Sequence, residues 1–203
     1  MKWTDDEWPV LDTAGGEVYR AHTNTRLRSD DFESEKLDWQ WCFIGMDSPG
    51  DYRLSDGCVT IAGSRDRLRA LTAIASDADY EVVTEIETEG DVETGLVLLY
   101  NEAIYAGIGL VDGILQGRWN GKPTWSKVEA KDCRFLKLKV DNYTVSLAYS
   151  ADGENWLGYP HGFDVSGYHT NTFGGFHSVK PSVICKGEGL VRIKSISFNY
   201  DIK

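Results

Sequence analysis

Tyr80-Glu81-Val82-Val83-Thr84-Glu85-Ile86-Glu87 decides the fold class, because apolar and β-branched side chains fall on every second residue and glutamates dominate the positions between them. A period of two is that of a strand with one buried and one solvated face. Working outward, Gly95-Leu96-Val97-Leu98-Leu99-Tyr100 forms a nearly continuous apolar strand that ends at the polar pair Asn101-Glu102. Ile104, Ala106, Ile108 and Leu110 then share one face. Leu136, Leu138 and Val140 alternate with Lys137, Lys139 and Asp141, and after an Asp141-Asn142 turn the pattern resumes at Tyr143, Val145, Leu147 and Tyr149, which reads as a hairpin. Asp152-Gly153 marks a second tight reversal, and Val191 to Tyr200 reads as the last strand. With no helical stripe of about ten residues, the chain is expected to be all-β. Roughly ten to thirteen short strands predict a two-sheet antiparallel jelly-roll sandwich.

The 203 residues suit one large all-β domain, and no linker composition divides them. A net charge of -11 repels nucleic acid and anionic membrane, and no apolar run reaches the roughly 18 residues of a membrane span. A neutral polymer such as a polysaccharide meets no such penalty. Seven Trp and ten Tyr exceed the needs of a core, so some of these amphipathic rings are expected on a binding surface. Cys42, Cys58, Cys133 and Cys185 show no Cys-x-x-Cys spacing and are expected as buried free thiols, one or two disulfides being the alternative.

Sugar C–H faces stack on aromatic rings while amides and carboxylates take the hydroxyls. The candidates are Trp39, Trp41, Tyr100, Tyr105, Trp119, Trp125 and Tyr168. Trp119 and Trp125 flank Asn120-Gly121-Lys122-Pro123, a loop tip, and with Tyr105 they are the preferred stacking residues. Trp39 and Trp41 share a face if they lie on a strand. Gly107 and Gly109 beside Tyr105 leave a bare outward face, which fits either the close approach of a ligand or a bulge. Glu85, Glu87 and Glu89 would line one strand face. They are similar to the Glu-x-Asp-x-Glu signature of jelly-roll glucanases, which makes a freestanding glucanase one alternative function and a purely structural domain another, but a solvated row that protects a strand edge is the commoner explanation of such glutamates.

Asp30-Asp31-Phe32, Trp39-Gln40-Trp41, Leu54-Ser55-Asp56-Gly57, the 95–100 strand, Ser150-Ala151-Asp152-Gly153-Glu154-Asn155-Trp156 and Val165-Ser166-Gly167-Tyr168 follow one another in an order that resembles a known family. It is the C-terminal concanavalin A-like sandwich of glycoside hydrolase family 43 β-xylosidases and arabinofuranosidases. Trp3-Thr4-Asp5-Asp6-Glu7-Trp8-Pro9 is similar to the end of that family's catalytic propeller. The resemblance therefore implies a remnant of an upstream catalytic domain or linker over 1–28 and a sandwich module over 29–203. It implies a non-catalytic accessory role, with a xylan-like plant glycan and the parent's propeller as partners. The compartment stays open between bacterial extracellular, periplasmic and cytoplasmic. The loop Met46-Asp47-Ser48-Pro49-Gly50-Asp51-Tyr52 is implied to face the propeller, an ordinary turn being the alternative. A structural Ca²⁺ between Asp31 and Asp201 is a further implication, against the alternative of solvated carboxylates.

Overall fold

The computed structural model describes residues 26–75, 77–175 and 177–200, together with the backbone pairing of two short strands, β1 (Lys2–Trp3) and β2 (Pro9–Val10). Apart from that pairing, the segment expected as an upstream remnant over 1–28 lies largely outside the described residues, as does Asp201. The remaining strands are β3 (Cys42–Ile44), β4 (Tyr52–Ser55), β5 (Cys58–Ala62), β6 (Arg69–Thr72), β7 (Tyr80–Leu99), β8 (Tyr105–Val111) and β9 (Ile114–Trp119). They continue with β10 (Lys122–Glu129), β11 (Phe135–Asp141), β12 (Thr144–Ser150), β13 (Leu157–Gly158), β14 (Phe163–Asp164) and β15 (Lys180–Asn199), and α1 (Thr170–Phe173) is a single helical turn.

Two strands of 20 residues, β7 and β15, pair antiparallel from Lys180↔Leu99 to Asn199↔Glu81. The near half of β7 pairs with β11 and its far half with β8, while β15 takes β6 on its first half and β5 on its second. Hydrogen bonding thus runs through 13 strands, and the ribbon folds that single ladder into two layers. The first layer runs β4, β5, β15, β7, β11, β12 with β13 and β14 at its edge; the second runs β3, β6, β15, β7, β8, β9, β10. Between them lies the core, with Val82, Ile86, Leu136 and Leu138 of the first layer in one cluster with Leu96, Leu98, Ile108 and Leu115 of the second. The all-β concanavalin A-like sandwich expected from the period-two pattern is therefore the observed architecture.

The passage between layers occurs where Gly90 faces Gly189 and Gly187 faces Val92. Gly187 has φ +119°, and a Cβ there would lie 2.5 Å from the Asp91 carbonyl oxygen, so only glycine fits. The sequence pattern breaks at these glycines into separate strands, whereas the backbone carries on through them. For the same reason the last strand begins at Lys180 rather than Val191: Pro181, which cannot donate to the ladder, stands at its start, where a proline is tolerated.

Trp39-Gln40-Trp41 is a correction to the strand reading. Trp39 and Gln40 lie in a turn, so the two indoles part: Trp39 is 82% exposed and Trp41 is buried. Asp30 bridges to Ile196 through a pair of backbone hydrogen bonds, while its side chain accepts the Trp41 indole N–H at 2.7 Å and the Phe32 backbone N–H at 2.9 Å. Trp41 then packs on Phe32 and Phe198. The Asp30-Asp31-Phe32 motif is therefore a clasp that fastens the incoming chain to the last strand.

All four cysteines are free; Cys58 and Cys185 are buried and Cys133 half-buried, but Cys42 is exposed, which corrects the expectation of burial at that position. Burial pushes the Cys185 thiol up to about 12.

Asp30→Ala would leave a half-buried indole N–H and a backbone N–H unpaired, and should lower the unfolding free energy by about 1–3 kcal/mol. Urea unfolding followed by far-ultraviolet circular dichroism measures it; an unchanged midpoint would mean that the clasp is not holding the chain.

Candidate functional site

At the outer edge of the second layer, β9 and β10 are joined by the two-residue turn Asn120-Gly121, with φ +50° and +70°. Positive φ at both positions is the geometry of a type I′ hairpin turn. Pairing starts at Lys122↔Trp119 and Pro123↔Arg118, then jumps to Lys127↔Gln116. Gly117 therefore opposes Thr124, Trp125 and Ser126, a bulge with two surplus residues. It turns Trp125 outward, 84% exposed, on a strand that would otherwise hide alternate side chains.

Tyr159 holds this bulge open. Its hydroxyl accepts the Gly117 N–H at 2.8 Å and donates to the Ser126 carbonyl at 2.8 Å, the two backbone groups that the interrupted ladder would otherwise leave unpaired. Gly117 is required by the crowding, since a Cβ there would lie 2.7 Å from Thr124 Oγ1 and 3.0 Å from Phe163 Cζ. Trp119 lies flat on Phe163, centroids 5.6 Å apart and planes 15° apart, and leans on Tyr168 at 5.7 Å. The Tyr168 hydroxyl in turn accepts the Asn120 N–H of the turn at 3.2 Å. His161 approaches Trp125 to 4.9 Å.

Together Trp119, Asn120, Lys122, Pro123, Thr124, Trp125, His161 and Phe163 line an open cleft of about 480 Å³. Its walls are aromatic and its polar groups are an amide, an imidazole and an ammonium. Such a surface can stack on a flat apolar face and hydrogen-bond the substituents around its rim. Asn120 Oδ1 and Thr124 Oγ1 are buried behind this wall without hydrogen-bond partners.

Of the sequence candidates, the structure brings Trp119 and Trp125 together and puts Tyr168 behind them as support. The other rings are elsewhere. Tyr100 is fully buried, its hydroxyl donating to the Gly174 carbonyl at 2.5 Å. Tyr105 is buried in a smaller cluster with Leu68, Ala70, Val97, Leu99 and Ile184 on the other face of the second layer. Trp41 is held by Asp30, as above. Tyr100, Tyr105, Trp41 and Tyr168 are buried and lack an open ring face, a correction to their reading as stacking residues. Trp39 is exposed but lies at the opposite edge, in a cleft with Arg26, Arg28, Gln40, Cys42 and Ile74. The bare face at Gly109 is not vacant either, because the Arg118–Glu93 ion pair lies across it, Nε to Oε1 at 2.8 Å. Tyr159, His161 and Phe163 were missed by sequence reasoning, although aromatic residues on alternate positions after the Asp152-Gly153 turn are a legible signal.

Glu85, Glu87 and Glu89 project from the outer face of the first layer, away from the cleft. Each meets a cation: Glu85 with Arg134, Glu87 with Lys194 at 2.5 Å and Glu89 with Arg192 at 3.3 Å. The Lys194 hydrogen bond holds the Glu87 carboxyl below the usual range, the opposite of what a general acid needs. The Met46–Tyr52 loop contains one 3-10 turn at Pro49–Asp51. Asp51 accepts the N–H groups of Asp47 and Ser48 and pairs with Arg69 at 3.1 Å, and those backbone bonds, more than Arg69, lower its carboxyl.

Of the two carboxylates expected to hold a Ca²⁺, Asp31 is described and Asp201 lies outside the described residues. One Asp31 oxygen is used by the Glu33 N–H at 3.3 Å, both Asp30 oxygens are engaged, and among the described residues no three His, Cys, Asp or Glu side chains converge. No helix among the described residues is long and apolar enough to cross a membrane.

Residues 29–200 match the family described as the beta xylosidase C-terminal concanavalin A-like domain. Among solved structures, the glycoside hydrolase family 43 protein BlXynB from Bacillus licheniformis superposes with a TM-score of 0.74 at 16% identity. The xylan beta-1,4-xylosidase from Bacillus halodurans C-125 gives 0.75 at 16%. Each match covers 98% of this chain but 45% of the other, so the chain spans less than half the length of those proteins. A beta-1,3-1,4-glucanase from a mouse hindgut metagenome shares the sandwich more loosely, with a TM-score of 0.55 at 6% identity over 85% of this chain and 98% of its own. No curated protein matches the sequence.

Tyr159→Phe would strand the Gly117 N–H and the Ser126 carbonyl without altering the ring. Thermal unfolding should show a loss of about 1–3 kcal/mol. Backbone amide exchange at Gly117 should quicken in the same variant, and protection equal to wild type would show that another group satisfies the bulge.

Proposed function

This chain belongs to the family of β-xylosidase C-terminal concanavalin A-like domains, and from that premise we propose that it is a non-catalytic accessory module that holds a β-linked plant glycan, xylan-like in its backbone, in the Trp119–Trp125 cleft. The observation that carries the reading is the bulge on β10. It forces an indole into solvent and is maintained by a dedicated hydroxyl from Tyr159. Exposed aromatic surface beside a second ring, a proline and several hydrogen-bonding groups favours a ligand with one apolar and one polyhydroxylated aspect. A pyranose has both. The ion pairs of Glu85, Glu87 and Glu89 support a structural part for the one carboxylate row that suggested hydrolysis.

A second role rests on the Met46–Tyr52 loop, which is pinned by Asp47–Arg67, Arg67–Glu102 and Asp51–Arg69 contacts. A loop held this firmly suits docking against a catalytic domain, and the greater length of the family 43 structures supports such a partner. The two roles use different parts of the surface and are compatible.

Affinity electrophoresis in gels containing soluble xylan tests the glycan reading. Wild type should be retarded, and Trp125→Ala should weaken binding by about 2 kcal/mol, roughly 30-fold in Kd. Trp39→Ala, at the far edge, should migrate as wild type. Free migration of the wild-type protein would sink the proposal.

A further inference from the structure

We infer that the cleft prefers a glycan bearing a carboxylate, such as a uronic acid branch, over the same neutral chain. This deepens the glycan reading above and rests on it. The balance of donors and acceptors around the cleft favours an anion. Its charged lining residue is Lys122, and no Asp or Glu contributes to the wall although the chain carries 32 of them. An ammonium offers three donors and no acceptor. Asn120 turns its Oδ1 into the protein, where it is buried, so the amide N–H groups are what that side chain can present to a ligand. His161 adds one ring N–H and one acceptor nitrogen, and the Thr124 hydroxyl is buried away from the cleft. The lining is therefore rich in donors and poor in acceptors.

A neutral sugar, whose hydroxyls each bring a donor, is commonly met by carboxylates as well as amides. A carboxylate is acceptor-only and complements a donor-rich wall. Lys122 is also correctly placed. It is the cross-strand partner of Trp119, and directly opposed residues on an antiparallel pair share a face, so both side chains leave the sheet on the side of the cleft that they line. Among the described residues no carboxylate lies within ion-pairing distance of it, whereas Arg118, one strand position further in, is neutralised by Glu93. On a protein of net charge -11, which repels anions at long range, a cleft lined by one ammonium and no carboxylate offers an anion a local contact.

The test compares xylotetraose with the same chain carrying one glucuronic acid branch, by isothermal titration at about 0.02 M and 0.5 M salt. A solvated contact of opposite charges at about 4 Å predicts a preference of roughly 5-fold for the acidic chain at low salt, shrinking toward parity at high salt. Lys122→Gln should bring the two chains to equal affinity at low salt, whatever its effect on the affinity for xylotetraose itself. Equal affinity for the two chains in wild type, or a preference that survives in Lys122→Gln, would overturn the inference while leaving glycan binding intact. Failure of both chains to bind would overturn the glycan reading and this inference with it.

Discussion

The structure depends on one ladder, the antiparallel pairing of β7 with β15 over their full lengths. Every other strand of the sandwich is added directly or indirectly to one half of this ribbon, so its bend at Gly90, Gly187 and Gly189 sets how the two layers face. Residues 80 and 199 are far apart in sequence, and such pairing closes long loops before it gains contacts, which makes the ribbon the slow step expected in folding. Once formed, it buries Val82, Ile86, Leu96 and Leu98 against Val183, Val191 and Ile193 in the common core. The Asp30 clasp then fastens the incoming chain to the far end of β15.

The cleft follows from what happens away from the ribbon. Near it, strands are paired on both sides and side chains are enclosed, which is why Tyr100 and Tyr105 are buried. At the β10 edge one side is open, and a bulge there disturbs few hydrogen bonds. It also blunts an edge that could otherwise pair with another chain. Tyr159 comes from the connection between β13 and β14 of the opposite layer, so the cleft is assembled from both layers and depends on their packing. The ion pairs on the outer face of the first layer are exposed or half-exposed and contribute little stability each, about 0–1 kcal/mol.

Much of the fold was legible in the sequence. Alternation at Tyr80–Glu87 and Leu136–Tyr149 is a local signal, and the strands appear where it places them. The continuity of β7 and β15 was not legible, because Gly90, Gly187 and Pro181 are local breakers that long-range pairing overrides. The site was legible only in part. Trp119 and Trp125 stood out by flanking the Asn120-Gly121 turn, but whether a tryptophan on a strand faces core or solvent depends on register, and the bulge that reverses Trp125 leaves no mark in composition. Trp39-Gln40-Trp41 shows the converse: the spacing suggested a shared face, and the turn divides it. Tyr159 was invisible as a functional group because its role lies in one hydroxyl placed across the sandwich.

The central claim, that the bulged β10 edge forms a glycan platform, is tested most directly by two-dimensional NMR of the indole N–H groups during titration with xylohexaose. The signals of Trp119 and Trp125 should move together and saturate, while Trp41, bonded to Asp30, stays still. Shifts confined to Trp39, or no shift at any indole, would contradict it.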